Sequence, residues 1–207
     1  MPVSLGTRVS AWVRRRHIRT VAVLGPPAVG KTTLLRYWST RRVGSAAYSP
    51  TGAPQPLPHV AMTSGGRRVL MPGLTDVSGS KYSWSGWQEV AQDTRVVVYL
   101  VNAEHLVEYE LSDRETAAWE RIGDDAGIIG PLVDAGVVDR CVIAVTHRDR
   151  DDRYAELGVH YQAHVEEQLD GVIIKLGGSE KVHVVTGSLA DAAGAAELTD
   201  AILGWLR

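Results

Sequence analysis

Apolar and polar positions follow two rhythms along this chain. Unbroken apolar runs fall at Thr20 to Leu24, Val96 to Val101, Cys141 to Val145 and Val182 to Val185. Such runs are expected of short parallel strands buried on both faces. Between them the apolar residues recur every three or four positions. Lys31 to Arg41 reads as a helix, and Trp84, Trp87 and Val90 predict another after residue 82. Ser112-Asp113-Arg114-Glu115 reads as a capping box that opens a helix through Trp119 and Ile122. Tyr161, Val165 and Leu169 stand four apart on a helix with room to run on to Leu176. Leu198, Ala201, Ile202, Trp205 and Leu206 make a final amphipathic helix.

One segment breaks the alternation. Val60-Ala61-Met62 and Val69-Leu70-Met71 flank Ser64-Gly65-Gly66-Arg67, which predicts a hairpin. Residues 43–58 are rich in Gly, Ser, Ala and Pro and have no period, so they read as a long mobile loop. The sum is an α/β fold with a mostly parallel sheet of about six strands. Helices are expected on both faces and the hairpin at an antiparallel edge. Ahead of this domain, spanning 18–207, residues 1–17 form a basic amphipathic extension. Its Leu5, Val9, Trp12 and Val13 share a helical face, with Arg8, Arg14, Arg15 and Arg16 opposite or at the end. A helix packed on the domain is the favoured reading; a reversible membrane or partner contact is the other.

Composition narrows the class. The chain has 207 residues, a formal net charge of −2 and no Phe, so Trp, Tyr, Leu, Ile and Val must fill the core. No global field draws it to nucleic acid. A single cysteine, Cys141, excludes a disulfide framework and suits a reducing cytoplasm. No apolar stretch approaches the roughly 18 residues a bilayer demands. Arginines break any signal-peptide core, and Pro2 stands where myristoylation needs Gly.

Gly25-Pro26-Pro27-Ala28-Val29-Gly30-Lys31-Thr32 matches G-x-x-x-x-G-K-[ST], between a predicted strand and a predicted helix. A helix N-terminus there favours anions, Lys31 adds a point charge for β/γ-phosphates, and the Thr32 hydroxyl can ligate Mg²⁺. Asp76-Val77-Ser78-Gly79 is D-x-x-G just past the hairpin. An Asp there can hold Mg²⁺ through water, and a Gly lets its N–H approach a γ-phosphate. Thr146-His147-Arg148-Asp149 follows the third apolar run and has the form of a guanine-reading [NT]-K-x-D motif. A carboxylate there can accept both guanine N1–H and the 2-amino group, a donor pair adenine lacks. Thr186-Gly187-Ser188 follows the last strand, where a backbone amide would meet guanine O6. His160 and His164, four apart, read as a solvated pair rather than a metal site.

With these four motifs in order, the chain resembles the Ras-like small GTPases of the P-loop NTPases from about residue 18 onward, with an Arf-like flavour. The resemblance implies a three-layer G domain that binds GTP and GDP with Mg²⁺ and hydrolyses GTP slowly. By it, Gly25, Ala28, Val29, Gly30, Lys31, Thr32 and Thr33 hold the phosphates. Thr146, His147, Asp149, Gly187 and Ser188 serve the base. Thr32, Asp76 and a switch threonine, for which Thr51 is the candidate with Thr63 behind it, serve the metal. Lys31, Thr51, Gly79 and Ser80 would act in hydrolysis. Residues 43–58 and 76–90 would meet a protein effector or regulator.

The chain departs from that pattern in several places. Ser80 stands where such GTPases carry the Gln that orients water, so hydrolysis is expected to be slow, or helped by Lys81 or a partner residue. His147 replaces a Lys and holds no fixed charge at neutral pH. Pro26 and Pro27 at the loop apex donate no N–H. The spans Glu104 to Asp139 and Asp151 to Glu180 exceed what a minimal small GTPase needs; loop growth or a partner contact would account for them. Two other functions stay open: a pseudo-GTPase interaction module, on the strength of Ser80, and an ATP-dependent P-loop enzyme such as a kinase.

Overall fold

The structure is a computed structural model and describes residues 21–44, 55–56, 60–64, 67–71, 75–76, 79–80, 84–92, 94–106 and 113–205. The amphipathic extension at 1–17, Thr51 and Lys81 lie outside these residues, as does most of the 43–58 loop.

Strands β1 (Val21–Leu24), β6 (Val96–Asn102), β7 (Arg140–Thr146) and β8 (Val182–Thr186) carry the sheet. Two further strands have two residues each, β2 (Gln55–Pro56) and β5 (Thr75–Asp76), while β3 (Val60–Ser64) and β4 (Arg67–Met71) form the hairpin. The helices are α1 (Lys31–Thr40), α2 (Trp84–Gln92), α3 (Asp113–Asp134), α4 (Asp152–Leu157), α5 (Tyr161–Gln168), α6 (Asp170–Lys175) and α7 (Ala192–Trp205). All four apolar runs seen in the sequence are strands, and all pair in parallel. Val21 to Leu24 face Val96 to Tyr99, Val96 to Asn102 face Arg140 to Thr146, and Cys141 to Val145 face Val182 to Thr186.

The expected six-stranded sheet with the hairpin at its edge needs correction. Four full-length parallel strands make the body. Beside β1 the pairing shrinks to Val23 with Asp76, and then to an antiparallel contact of Gln55–Pro56 with Thr75–Asp76. The hairpin is a two-stranded sheet of its own, Val60 opposite Met71 through Ser64 opposite Arg67. Val60 packs in the apolar cluster that holds Leu34, Trp38 and Ile202, so the hairpin rests on helices instead of extending the sheet.

Alternate residues of each strand point to opposite faces. Leu24, Tyr99, Val101 and Ile143 meet Trp87, Ile122, Ile129, Tyr161 and Val165 on one side. Val23, Val98, Leu100 and Ala144 meet Leu34, Trp38, Leu198 and Ile202 on the other. Helices therefore cover both faces. The Trp38 indole also donates to the Thr199 hydroxyl at 3.0 Å, joining α1 to α7.

The two long spans are helical cover, not loop growth. The first holds α3, 22 residues long, whose Ile129 and Val133 are core. The second holds α4 to α6, with Leu169, Val172 and Leu176 buried. The helix predicted through Leu176 breaks at Leu169, which caps α5 and precedes α6. His160 closes a 3-10 turn and His164 lies in α5; among the described residues no three metal-binding side chains gather. Among the described residues, too, no helix is long and apolar enough to cross a membrane.

Candidate functional site

β1 runs into Gly25, whose φ of 142° glycine tolerates. A Cβ there would stand 2.5 Å from the Leu100 carbonyl oxygen of the neighbouring strand. Ala28 and Gly30 then take φ of 63° and 92°. Left-handed residues at close spacing curl a backbone so that successive N–H groups converge on an anion. Ala28 adopts this conformation despite its Cβ, at a cost of about 1–2 kcal/mol.

Gly30 caps α1 without a side-chain hydrogen bond, and the first turn holds no acidic residue. Three other turns have side-chain caps, while α5 and α6, like α1, have none. Asp151 accepts from Arg153 N at 3.1 Å, Asp191 accepts from Gly194 N at 2.8 Å, and Asn102 accepts from Glu104 N at 3.1 Å. With no acidic side chain in its first turn, α1 turns the positive end of its dipole, uncompensated by a carboxylate, toward the loop, an arrangement that favours an anion. Lys31 is buried there, and Nζ donates to Gly25 O at 2.9 Å and Pro26 O at 2.7 Å. Those bonds fix the ammonium inside the loop's curve. Thr32 is exposed and Thr33 half-buried beside it.

The end of β7 abuts this loop. Thr146 is fully buried, and its hydroxyl reaches Val29 O at 2.9 Å and Val101 O at 3.1 Å. It is a brace between strand and loop, placed away from any surface a base could touch. His147, at φ 59°, sets Nε2 3.3 Å from Ala28 O. Its imidazole braces the same loop, a use not expected from its place in the base-reading motif. Asp149 is exposed on the following 3-10 turn and has no hydrogen-bond or ionic partner among the described residues.

The loop after β8 closes the group. Gly187 N donates to Val145 O at 2.9 Å, and Arg148 N donates to Gly187 O at 3.1 Å. Ser188 accepts from Ala190 N at 3.0 Å. Leu189, which belongs to none of the sequence motifs, lies on the 25–32 loop: a Cβ on Gly30 would come 2.7 Å from its Cδ1. Three loops far apart in sequence thus share one end of the sheet, at the carboxyl ends of β1, β7 and β8. A groove of about 670 Å³ runs along the outer edge of β8; Arg148 and Thr186 line it, but none of residues 25–33 does.

The backbone of Asp76 pairs beside Val23, two residues ahead of Gly25, so the strand end carrying D-x-x-G lies next to the loop. Gly79 presses on Pro26 and Pro27, with a would-be Cβ 2.5 Å from Pro27 N. Pro26 is buried by this packing, while Pro27 stays exposed. Ser80 is half-buried beside Gly79.

Sequence reasoning missed what stands behind Gly79. Arg121 Nη2 donates to Gly79 O at 3.1 Å, and Nε donates to Asp125 Oδ1 at 2.6 Å. Asp125 also accepts from Trp84 Nε1 at 2.8 Å and Tyr99 OH at 2.9 Å. The guanidinium lies 5.0 Å from the Trp84 ring centre and 5.7 Å from that of Trp87. Burial pushes the Asp125 pKa up, and the neighbouring Arg121 opposes this without cancelling it. Burial and the Asp125 carboxylate together hold the Tyr99 hydroxyl well above the ordinary phenol value. The signal was present in the sequence: Asp125 lies three residues from Ile122 and four from Ile129, a carboxylate on an apolar helix face.

A second cluster anchors the Asp149 turn. Asp151 accepts from Arg153 Nε and Nη2, both at 2.8 Å, and from Tyr161 OH at 2.7 Å. Arg153 also donates to the carbonyls of Leu106 and Ala103, tying the turn to the end of β6. Burial alone would raise the Asp151 pKa, but the hydrogen bonds from Arg153 and Tyr161 outweigh it and the net shift is downward. Burial and the Asp151 carboxylate push the Tyr161 hydroxyl above its ordinary range. Compared with known proteins, the chain is matched by no protein-family model and by no curated protein.

Proposed function

We propose that the chain is a small guanine-nucleotide-binding protein with a G-domain fold, a GDP/GTP switch that hydrolyses GTP slowly. One observation carries the reading: the 25–32 loop and the start of the 146–149 loop are tied together. Thr146 and His147 bond to the carbonyls of Val29 and Ala28, and Asp149 is exposed two residues further on. An anion-seeking helix end with a fixed Lys31 suits a polyphosphate, and a carboxylate one loop away suits the guanine donor pair. An adenine nucleotide would offer Asp149 no such donor pair, which counts against the kinase alternative.

Magnesium would be held by the Thr32 hydroxyl and, through water, by Asp76, with Thr51 as the switch threonine. The fit rests on an exposed Thr32 at the loop's end and on Asp76 in the strand beside β1. The ion would neutralise charge between the β- and γ-phosphates. Ser80 is too short to orient water as a Gln would, so turnover without a partner is slow. Residues 43–58 and 76–90 would meet an effector or regulator, in a cytoplasmic setting.

Nucleotide competition on the purified chain tests this. GDP and GTP should bind more tightly than ADP and ATP, and Lys31→Ala should bind none of them. Asp149→Asn should move preference from GTP to XTP. Tighter ADP than GDP binding, or an unchanged preference in Asp149→Asn, would sink the proposal. Single-turnover phosphate release separates a switch from a module that only binds.

A further inference from the structure

The Arg121 cluster has a feature that stability does not explain. A buried Arg–Asp pair adds little to stability over a packed apolar pair, but its directional bonds select one arrangement. Arg121 divides its fork between two segments. Nε serves Asp125 on its own helix, and Nη2 serves the backbone of Gly79. Trp84, the first residue of α2, lies against the same guanidinium and donates to the same carboxylate. The D-x-x-G turn and the helix after it are therefore both fixed to α3 through one side chain. On its other side Gly79 has no room for a Cβ against Pro26 and Pro27. It is held between the phosphate-loop motif and Arg121.

We infer that Arg121 is a positioning residue that keeps Gly79 against the 25–32 loop, coupling occupation of the γ-phosphate position to helix α3. The inference rests on the nucleotide reading above. A ligand that contacts Gly79 from the loop side draws on the placement Arg121 provides, whereas a diphosphate does not reach it. Coupling of this kind is reciprocal, so losing the tie lowers affinity for the triphosphate more than for the diphosphate.

The test measures binding of fluorescent GDP and of a non-hydrolysable fluorescent GTP analogue to the full chain, Arg121→Gln and Arg121→Lys. The analogue-to-GDP affinity ratio should fall about fivefold or more in Arg121→Gln. It should fall less in Arg121→Lys, which keeps the charge but loses the second arm. A merely structural role would weaken both nucleotides alike or only lower the melting temperature. If Arg121→Gln does not fold, Arg121→Lys carries the same comparison. An unchanged ratio, or one that moves toward the triphosphate, overturns the inference. If the unaltered chain binds neither nucleotide, the nucleotide reading falls and takes this inference with it. If it binds both and the ratio holds in the variants, only the role of Arg121 falls.

Discussion

Asp125 and Asp151 each sit with an Arg and a Tyr behind one end of the candidate site, yet their pKa values move in opposite directions. Arg153 gives Asp151 two arms of its fork as well as its own backbone N–H. Arg121 gives Asp125 one arm and spends the other on Gly79. The Asp125 side chain is also 0% exposed, against 5% for Asp151. A bidentate pair near water compensates its carboxylate fully. Arg153 also reaches the backbone carbonyls of Leu106 and Ala103, so sharing a guanidinium with the backbone does not separate the two; the single arm that Asp125 receives and its deeper burial do. The lesson is that both arginines reach a second segment, but only the Asp151 cluster keeps two guanidinium arms on its carboxylate while doing so.

The comparison breaks first on stability. Asp125→Ala leaves Arg121, only 10% exposed, without its counter-charge, and should cost about 3–5 kcal/mol in urea unfolding. Asp151→Ala leaves Arg153, 23% exposed and able to turn toward water, and should cost about 1.5–3 kcal/mol. Equal losses would erase the distinction.

The pH dependence sharpens it. Because the Asp125 pKa is raised, its contribution is fully present below the ordinary carboxylate range and is lost as pH rises through the raised value. Because the Asp151 pKa is lowered, its contribution is present above the ordinary range and is lost as pH falls through the lowered value. Urea midpoints measured against pH should show Asp125→Asn removing the loss on the rising side and Asp151→Asn the loss on acidification. The smallest effect belongs to Glu197→Ala. It removes the Arg148–Glu197 pair at 3.1 Å, whose Glu is 60% exposed, and should cost about 0.2–1 kcal/mol by the same unfolding measurement.

Much of the fold was legible in the order of residues. The four apolar runs are strands because each is buried on both faces, a condition that leaves no polar alternation to misread. The hairpin turn was equally plain at Ser64 to Arg67. Its place was not, because a two-stranded ribbon can join a sheet edge or lie on helices with the same local pattern. Only the burial of Val60 against α1 and α7 separates the two. The long spans misled for a related reason. Past Ile122 the apolar spacing of α3 continues through Ile129 and Val133, but Gly127, Gly130 and Pro131 interrupt it, and those residues signal loops when read alone.

For the site, spacing along the chain determined which residue types stand in the phosphate-loop motif and in the 146–149 loop, since both are contiguous and their backbone geometry is local. Tertiary structure decided the rest. It set Thr146 and His147 as braces on Val29 and Ala28, and it brought Leu189 onto Gly30. It also joined Arg121 to Gly79 across 42 positions. Hydrogen bonds and close glycine contacts depend on which surfaces the fold brings within a few ångströms, and no periodicity in a sequence encodes that distance.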